Sequence, residues 1–194
     1  MEQAPPSEET IEVPSGPTIL FLGDSLSAGL GLAEELAFPA LVEARLHDSG
    51  IPVRVVNAGV SGDTTAGGLR RLDWLLKQEP YGVVVELGAN DGLRGLPLSE
   101  IEGNLRRILE RLSQVEVKVV LVGMKMPPNY GEEYSRGFEA IFPRLASEFE
   151  VTFVPFLLEG VAGHPDLNQA DGIHPTAEGH KRLADNVEAA IREA

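Results

Sequence analysis

The chain has 194 residues, 43% of them hydrophobic, which suits one domain around one core. Its 16 basic and 30 acidic residues leave a formal net charge of −14, which repels nucleic-acid phosphates and argues against a nucleic-acid partner. The absence of cysteine removes disulfides, thiolate catalysis and cysteine-ligated metal, and no apolar run approaches the ~18 residues of a membrane helix.

The opening MEQAPPSEETIEVPSGP is acidic and rich in proline, and reads as a flexible lead-in over 1–16 ahead of one domain over 17–194. No basic start runs into an apolar stretch, so no signal peptide is read there. Then TILFLG (18–23) is a continuous apolar run, as a strand covered on both faces should be. After the loop GDSLSAG, FPALVEARLHDSG sets Leu41, Val42 and Leu46 on a helix that Gly50 stops. VRVVNAG (53–59) is the second strand, and TAGGLRRLDWLLKQ places Leu69, Leu72 and Leu76 on one helical face, with Trp74 expected to pack. VVVELG (83–88) is the third strand. SEIEGNLRRILERLSQ follows, with Ser99 as the expected N-cap and Ile101, Leu105, Ile108 and Leu112 at helical spacing. KVVLVG (118–123), a helix over 134–149, VTFVPF (151–156) and a helix over 176–193 capped by Thr176 complete the series.

Five strands alternating with helices predict a parallel sheet covered on both sides. Ligands of such sheets bind beyond the carboxyl ends of the strands. That directs attention to GDSLSAG, NAGVSGDTT, GANDGLRG, MKMPPNYG and the late loop ending in DGIHP.

The first of these loops has two readings. As a phosphate loop it lacks the spacing: Gly29 and Gly31 form a GxG, but Glu34 stands at the third glycine position and no Walker lysine follows. As a nucleophile loop it offers Ser25, without the GxSxG elbow of α/β-hydrolases. A serine nucleophile needs a base, a group that orients the base, and donors for an oxyanion.

Of four histidines, His47 lies near a helix end, His180 within the last helix and His164 in the plain loop GHPDLN. His174 lies in DGIHP on the expected active edge, with Asp171 three residues earlier, a spacing that lets the carboxylate orient the imidazole. The same segment also reads as an Asp-Gly turn before a helix cap, or as a metal site built from His164, Asp166, Asp171 and His174; the second of these lacks tight ligand pairs. Gly62 can bring a backbone N–H close to a ligand, and Asn90 carries a side-chain NH₂ donor. Ser25, Gly62 and Asn90 follow the first three strands and so share one rim.

Taken in order, GDSLSAG, NAGVSGDTT, ELGANDGLRG and DGIHP resemble the four blocks of the SGNH hydrolases, also called the GDSL family of esterases and lipases. The segments SGDTTAGGL, VELGANDGLRG, PPNYGEEY and HPTAEGH are similar to the bacterial arylesterase and multifunctional acyl-thioesterase–lysophospholipase branch. The resemblance implies a flavodoxin-like three-layer α/β/α fold with strand order 2-1-3-4-5, no cofactor, no metal and, for many members, export to the periplasm or beyond. It implies Ser25, Asp171 and His174 as the triad, and the N–H groups of Ser25 and Gly62 with the Asn90 amide as the oxyanion hole. Asp24, Asp63 and Asp91 are read as structural.

The expected substrate is a small acyl ester or thioester. Its acyl groove is expected from GLRGLP and MKMPPNYG, with Leu93, Leu96, Met126 and Pro127 as walls. The rival readings are a carbohydrate O-deacetylase on the same fold and a catalytically idle binding module.

Overall fold

The computed structural model describes residues 16–194, so the lead-in expected over 1–16 lies, apart from Gly16, outside the described residues. Five strands form one sheet: β1 (Thr18–Gly23), β2 (Arg54–Asn57), β3 (Gly82–Glu86), β4 (Lys118–Val122) and β5 (Thr152–Val154). Every pairing is parallel, in the order β2-β1-β3-β4-β5. β1 and β3 are buried along their whole length, which is why their sequences are unbroken apolar runs rather than alternations.

Seven helices alternate with the strands among the described residues. They are α1 (Ser25–Ala28), α2 (Phe38–Asp48), α3 (Thr65–Leu75), α4 (Ala89–Leu93), α5 (Leu98–Ser113), α6 (Glu132–Phe149) and α7 (Ala177–Glu193). α2 packs on α7 at one face of the sheet, while α3, α5 and α6 pack side by side on the other. The result is the three-layer arrangement expected from the order of elements.

The helix-facing pattern holds in detail. Ile101, Leu105, Ile108, Leu109 and Leu112 are the buried residues of α5, four of them at the spacing read from the sequence. Phe21 meets Phe38 edge-on with centroids 5.6 Å apart, joining β1 to α2, and Phe138 meets Phe142 at 5.3 Å within α6. Each such ring, fully buried, stabilises by about 1.5–3 kcal/mol relative to exposure. The Thr176 hydroxyl caps α7 by accepting from the Gly179 N–H, and the Thr64 hydroxyl does the same for α3 at Gly67.

Two local expectations fail. α5 begins at Leu98 and its N-cap is Pro97, not Ser99. Proline fixes φ (here −55°) while ψ stays extended at 131°, so the helix starts immediately behind it. Trp74 is 66% exposed and is not a packing residue; Leu72 and Leu75 carry the buried face of α3.

Candidate active site

β1 ends at Gly23, level with Glu86 at the end of β3. The chain then turns sharply into α1, whose N-cap Asp24 accepts the Leu26 N–H at 2.9 Å. Ser25 is therefore the first residue of a helix at the carboxyl end of a central strand. It is 8% exposed. The next loop is drawn in from beneath: Arg71 on α3 donates to Gly23 O, to Ala58 O and to the Asp63 carboxylate, stapling the ends of β1 and β2 to the loop that carries Gly62.

His174 reaches Ser25 from the opposite end of the chain. Its Nε2 lies 3.0 Å from the Ser25 Oγ, and its Nδ1 lies 2.7 Å from the Asp171 carboxylate. A carboxylate can only accept, so Nδ1 carries the proton and Nε2 is free to accept from the serine hydroxyl. The other Asp171 oxygen accepts the backbone N–H groups of Ile173 and His174. The His174 imidazole, followed by these two amides, holds the Asp171 carboxyl well below the usual carboxylate range.

The loop itself is closed. Gln169 N–H donates to His174 O at 2.7 Å, Thr176 N–H donates to Leu167 O, and Asn168 bridges Pro175. The Gln169 amide also donates to Leu30 O, whose own N–H donates to Ser25 O. His174 and Ser25 are thus tied through backbone as well as side chain. His164 and Asp166 take no part in the Asp171–His174 pair; among the described residues no group of three or more His, Asp or Glu side chains is arranged to hold a metal.

The expected donors lie on the same rim. Neither the Ser25 N–H nor the Gly62 N–H donates to another group among the described residues. Gly62 has φ of +79°, a left-handed conformation that favours glycine. Asn90 lies in the first turn of α4, behind the N-cap Gly88, whose φ of +120° only glycine adopts readily. One Asn90 N–H donates to Asp24 at 3.0 Å, which leaves the other free to point elsewhere.

Beneath the serine sits a feature the sequence reading passed over. Glu86 is fully buried at the end of β3, and one of its oxygens accepts from Ser27 Oγ at 2.7 Å and from the N–H groups of Asp24 and Ser27 at 3.3 Å. Its other oxygen has no partner among the described residues. Burial first, and the nearby Asp24 charge second, raise the Glu86 pKa well above the usual range. Burial also raises Asp24 to about 6, against the lowering effect of the Leu26 N–H, His174 and Asn90. The available signal was a single acidic residue closing an apolar strand, VVVE, directly beside the nucleophile loop.

Asp63 and Asp91, expected to be structural, are engaged within the fold: Asp63 pairs with Arg71 at 2.7 Å, and Asp91 accepts from the Thr65 N–H and hydroxyl. His180 is buried, and its Nδ1 accepts the Phe38 N–H at 3.1 Å, linking α7 to α2. Burial lowers its pKa to about 4.

Of the expected acyl-groove residues, Leu96 and Met126 are half-buried against the core, Leu93 is half-buried and Pro127 is exposed. Tyr130 donates to Leu93 O and Tyr134 to Leu96 O, which joins their two loops into one wall. The reading missed three exposed apolar side chains on the rim: Leu30, Val60 and Ile173. Each is anchored beside the serine or its base. Leu30 and Val60 donate backbone N–H groups to Ser25 O and Gly23 O, and Ile173 precedes His174.

The chain is similar to known proteins over most of its length. The esterase TesA of Pseudomonas aeruginosa is 46% identical over 171 residues, covering 88% of this chain and 85% of that protein. The thioesterase 1/protease 1/lysophospholipase L1 of Escherichia coli K12 is 43% identical over 177 residues, covering 91% and 84%. A crystal structure of TesA superposes with a TM-score of 0.88 at 45% identity, over 91% of this chain and 98% of that one. The profile of the GDSL-like Lipase/Acylhydrolase family matches residues 21–182, and the chain belongs to that family.

Proposed function

We propose that this protein is a serine esterase that hydrolyses carboxylic esters and thioesters through an acyl-enzyme. The observation that carries the reading is the unbroken relay Ser25–His174–Asp171, at 3.0 and 2.7 Å, on a rim with unused hydrogen-bond donors.

The reaction follows from the atoms. Ser25 Oγ attacks the acyl carbonyl as its proton passes to His174 Nε2. The imidazolium formed is stabilised by Asp171, and it returns the proton to the leaving alkoxide or thiolate. The carbonyl oxygen becomes an oxyanion, which the N–H groups of Ser25 and Gly62 and the free Asn90 N–H receive. A water, deprotonated by His174, then attacks the acyl-enzyme and releases the carboxylate, and Ser25 Oγ recovers its proton. All steps are proton and acyl transfers.

Leu30, Val60 and Ile173, with the wall formed by Leu93, Leu96 and Met126, offer apolar surface to an acyl chain. That surface and the names of the relatives favour acyl esters and thioesters; an O-deacetylase of carbohydrates would call for a polar rim.

A fluorophosphonate should label Ser25, and Ser25→Ala should lose on the order of 10⁶ in kcat against an aryl ester while keeping its fold. Wild-type turnover in that variant, or labelling of Ser27 or Ser61 instead, would end the assignment.

A further inference from the structure

The donors assigned to the oxyanion stand on different loops. Gly62 belongs to the loop after β2, and Asn90 to α4, after β3. Their relative position is therefore not fixed by either element alone. Arg94 caps the far end of α4, where its N–H donates to Asn90 O at 3.2 Å. Its guanidinium Nη2 donates to Gly62 O at 2.9 Å. One residue thus holds both segments.

The restraint matters most at Gly62. This residue is exposed, lies in the left-handed region and has no side chain to pack. An ideal Cβ built on it would meet one neighbour within 4 Å, the Arg94 Nη2 at 3.8 Å. The surrounding loop is pinned at Val60, by its N–H on Gly23 O, and at Asp63, by Arg71. Between those pins the Asp63 N–H closes the turn on Val60 O at 3.0 Å, and the Gly62 carbonyl itself has the Arg94 contact alone among the described hydrogen bonds. Arg94 makes no ion pair with a described carboxylate, although the chain carries 30 acidic residues. Its hydrogen-bond partners, Asn90 O and Gly92 O in α4 and Gly62 O after β2, all lie on the donor segments.

We propose that Arg94 is a positioning residue that sets the Gly62 and Asn90 donors at a fixed separation before charge develops on the substrate. The proposal rests on the esterase reading above and adds a residue to it. A donor that must swing into place as the oxyanion forms loses part of its value, because preorganisation is what makes such donors effective. Arg94 touches neither the nucleophile nor the base, so its removal leaves acid–base chemistry intact. It acts through Gly62.

The test uses the whole protein and two substrates, a neutral aryl ester and an acyl-coenzyme A thioester whose leaving group carries phosphates. Arg94→Ala should lower kcat by roughly 10- to 100-fold, at or below the ~10²–10³ cost of deleting a donor outright, with KM unchanged and an equal loss on both substrates. The pH profile should keep its shape. Arg94→Lys should recover part of the loss, and so should guanidinium chloride at non-denaturing concentration added to Arg94→Ala. Wild-type kcat in Arg94→Ala would overturn the proposal. So would a loss confined to KM or to the coenzyme A substrate, which would make Arg94 a leaving-group contact. Failure of the esterase reading is a separate result, since it would appear as unimpaired turnover in Ser25→Ala.

Discussion

Asp171 and Asp24 both belong to the surroundings of Ser25, one in an exposed loop and the other buried. Both carboxylates accept backbone N–H groups, and both hold a side chain assigned a part in the proposed reaction: His174 for Asp171, Asn90 for Asp24. Their electrostatics run in opposite directions. Asp171 is held low by its imidazole partner, whereas burial raises Asp24 to about 6 and raises the neighbouring Glu86 as well. The comparison teaches that being near the nucleophile does not set a carboxylate's task. The exposed one keeps its charge and can stabilise an imidazolium. The buried ones are placed by hydrogen bonds and are costly to ionise.

The largest effect that tests this contrast lies on the exposed side. Asp171→Asn should favour the wrong imidazole tautomer and lower kcat by about 10⁴, with partial recovery at high pH where hydroxide replaces the base. A loss of less than tenfold would remove Asp171 from the relay. Asn90→Ala comes next: kcat should fall by ~10²–10³ with little change in KM and no selective recovery at high pH. A rise in KM alone would make Asn90 a ground-state contact.

Asp24→Ala should cost less, about 10-fold or somewhat more in kcat, since it frees the Asn90 amide without removing it. In an Asn90→Ala background the same substitution should cost less than it does alone, the remainder being the lost cap on the Leu26 N–H. Full additivity in that double-mutant cycle would separate Asp24 from Asn90.

The smallest effect on activity concerns Glu86→Gln, which should leave turnover close to wild type and show itself in stability. Asp24 and Glu86 bind protons more tightly in the folded state. Their contribution is therefore fully present below the unfolded carboxylate values and is lost as pH rises through the folded ones. For Asp24 that window runs from 3.8 to about 6, and for Glu86 it continues upward. His180 works the other way, its contribution being lost as pH falls from 6.5 toward about 4. The informative quantity is thus the difference in Tm between Glu86→Gln and its parent. It should move in favour of the glutamine variant as pH rises. A constant difference from pH 5 to 9 would mean that Glu86 does not titrate in that range.

Much of this arrangement was legible in the sequence because its causes are local or repetitive. Buried parallel strands announce themselves as runs such as TILFLG, and the order of strands and helices leaves few topologies. Ser25, Gly62, Asn90, Asp171 and His174 were legible because each follows a strand or sits in a distinctive loop. What stayed hidden depended on distant partners. Glu86 looks like an ordinary strand-end residue until Ser27, from the helix that follows another strand, is brought 2.7 Å away. Leu30, Val60 and Ile173 share a rim only after three separate loops converge. Ser99 was misread because Pro97, two residues earlier, had already fixed where α5 begins. β2 was read as running to residue 59 but ends at Asn57, whose side chain turns the chain by accepting the Gly59 N–H and donating to Ser27 O.

The closed loop around His174 also bears on how the molecule assembles. The Asp171–His174 contact spans three residues, and the Ser25–His174 contact spans 149. Closing a short loop takes on the order of 10–100 ns, whereas contacts of high sequence separation wait for the intervening topology. The acid–base pair can therefore form while the rest of the chain is still collapsing, but it meets its serine only after β1 is seated between β2 and β3 and α7 has docked on α2. Recovery of esterase turnover after dilution from denaturant should lag behind helix formation seen by far-ultraviolet circular dichroism, making activity a reporter of the last long-range step in folding.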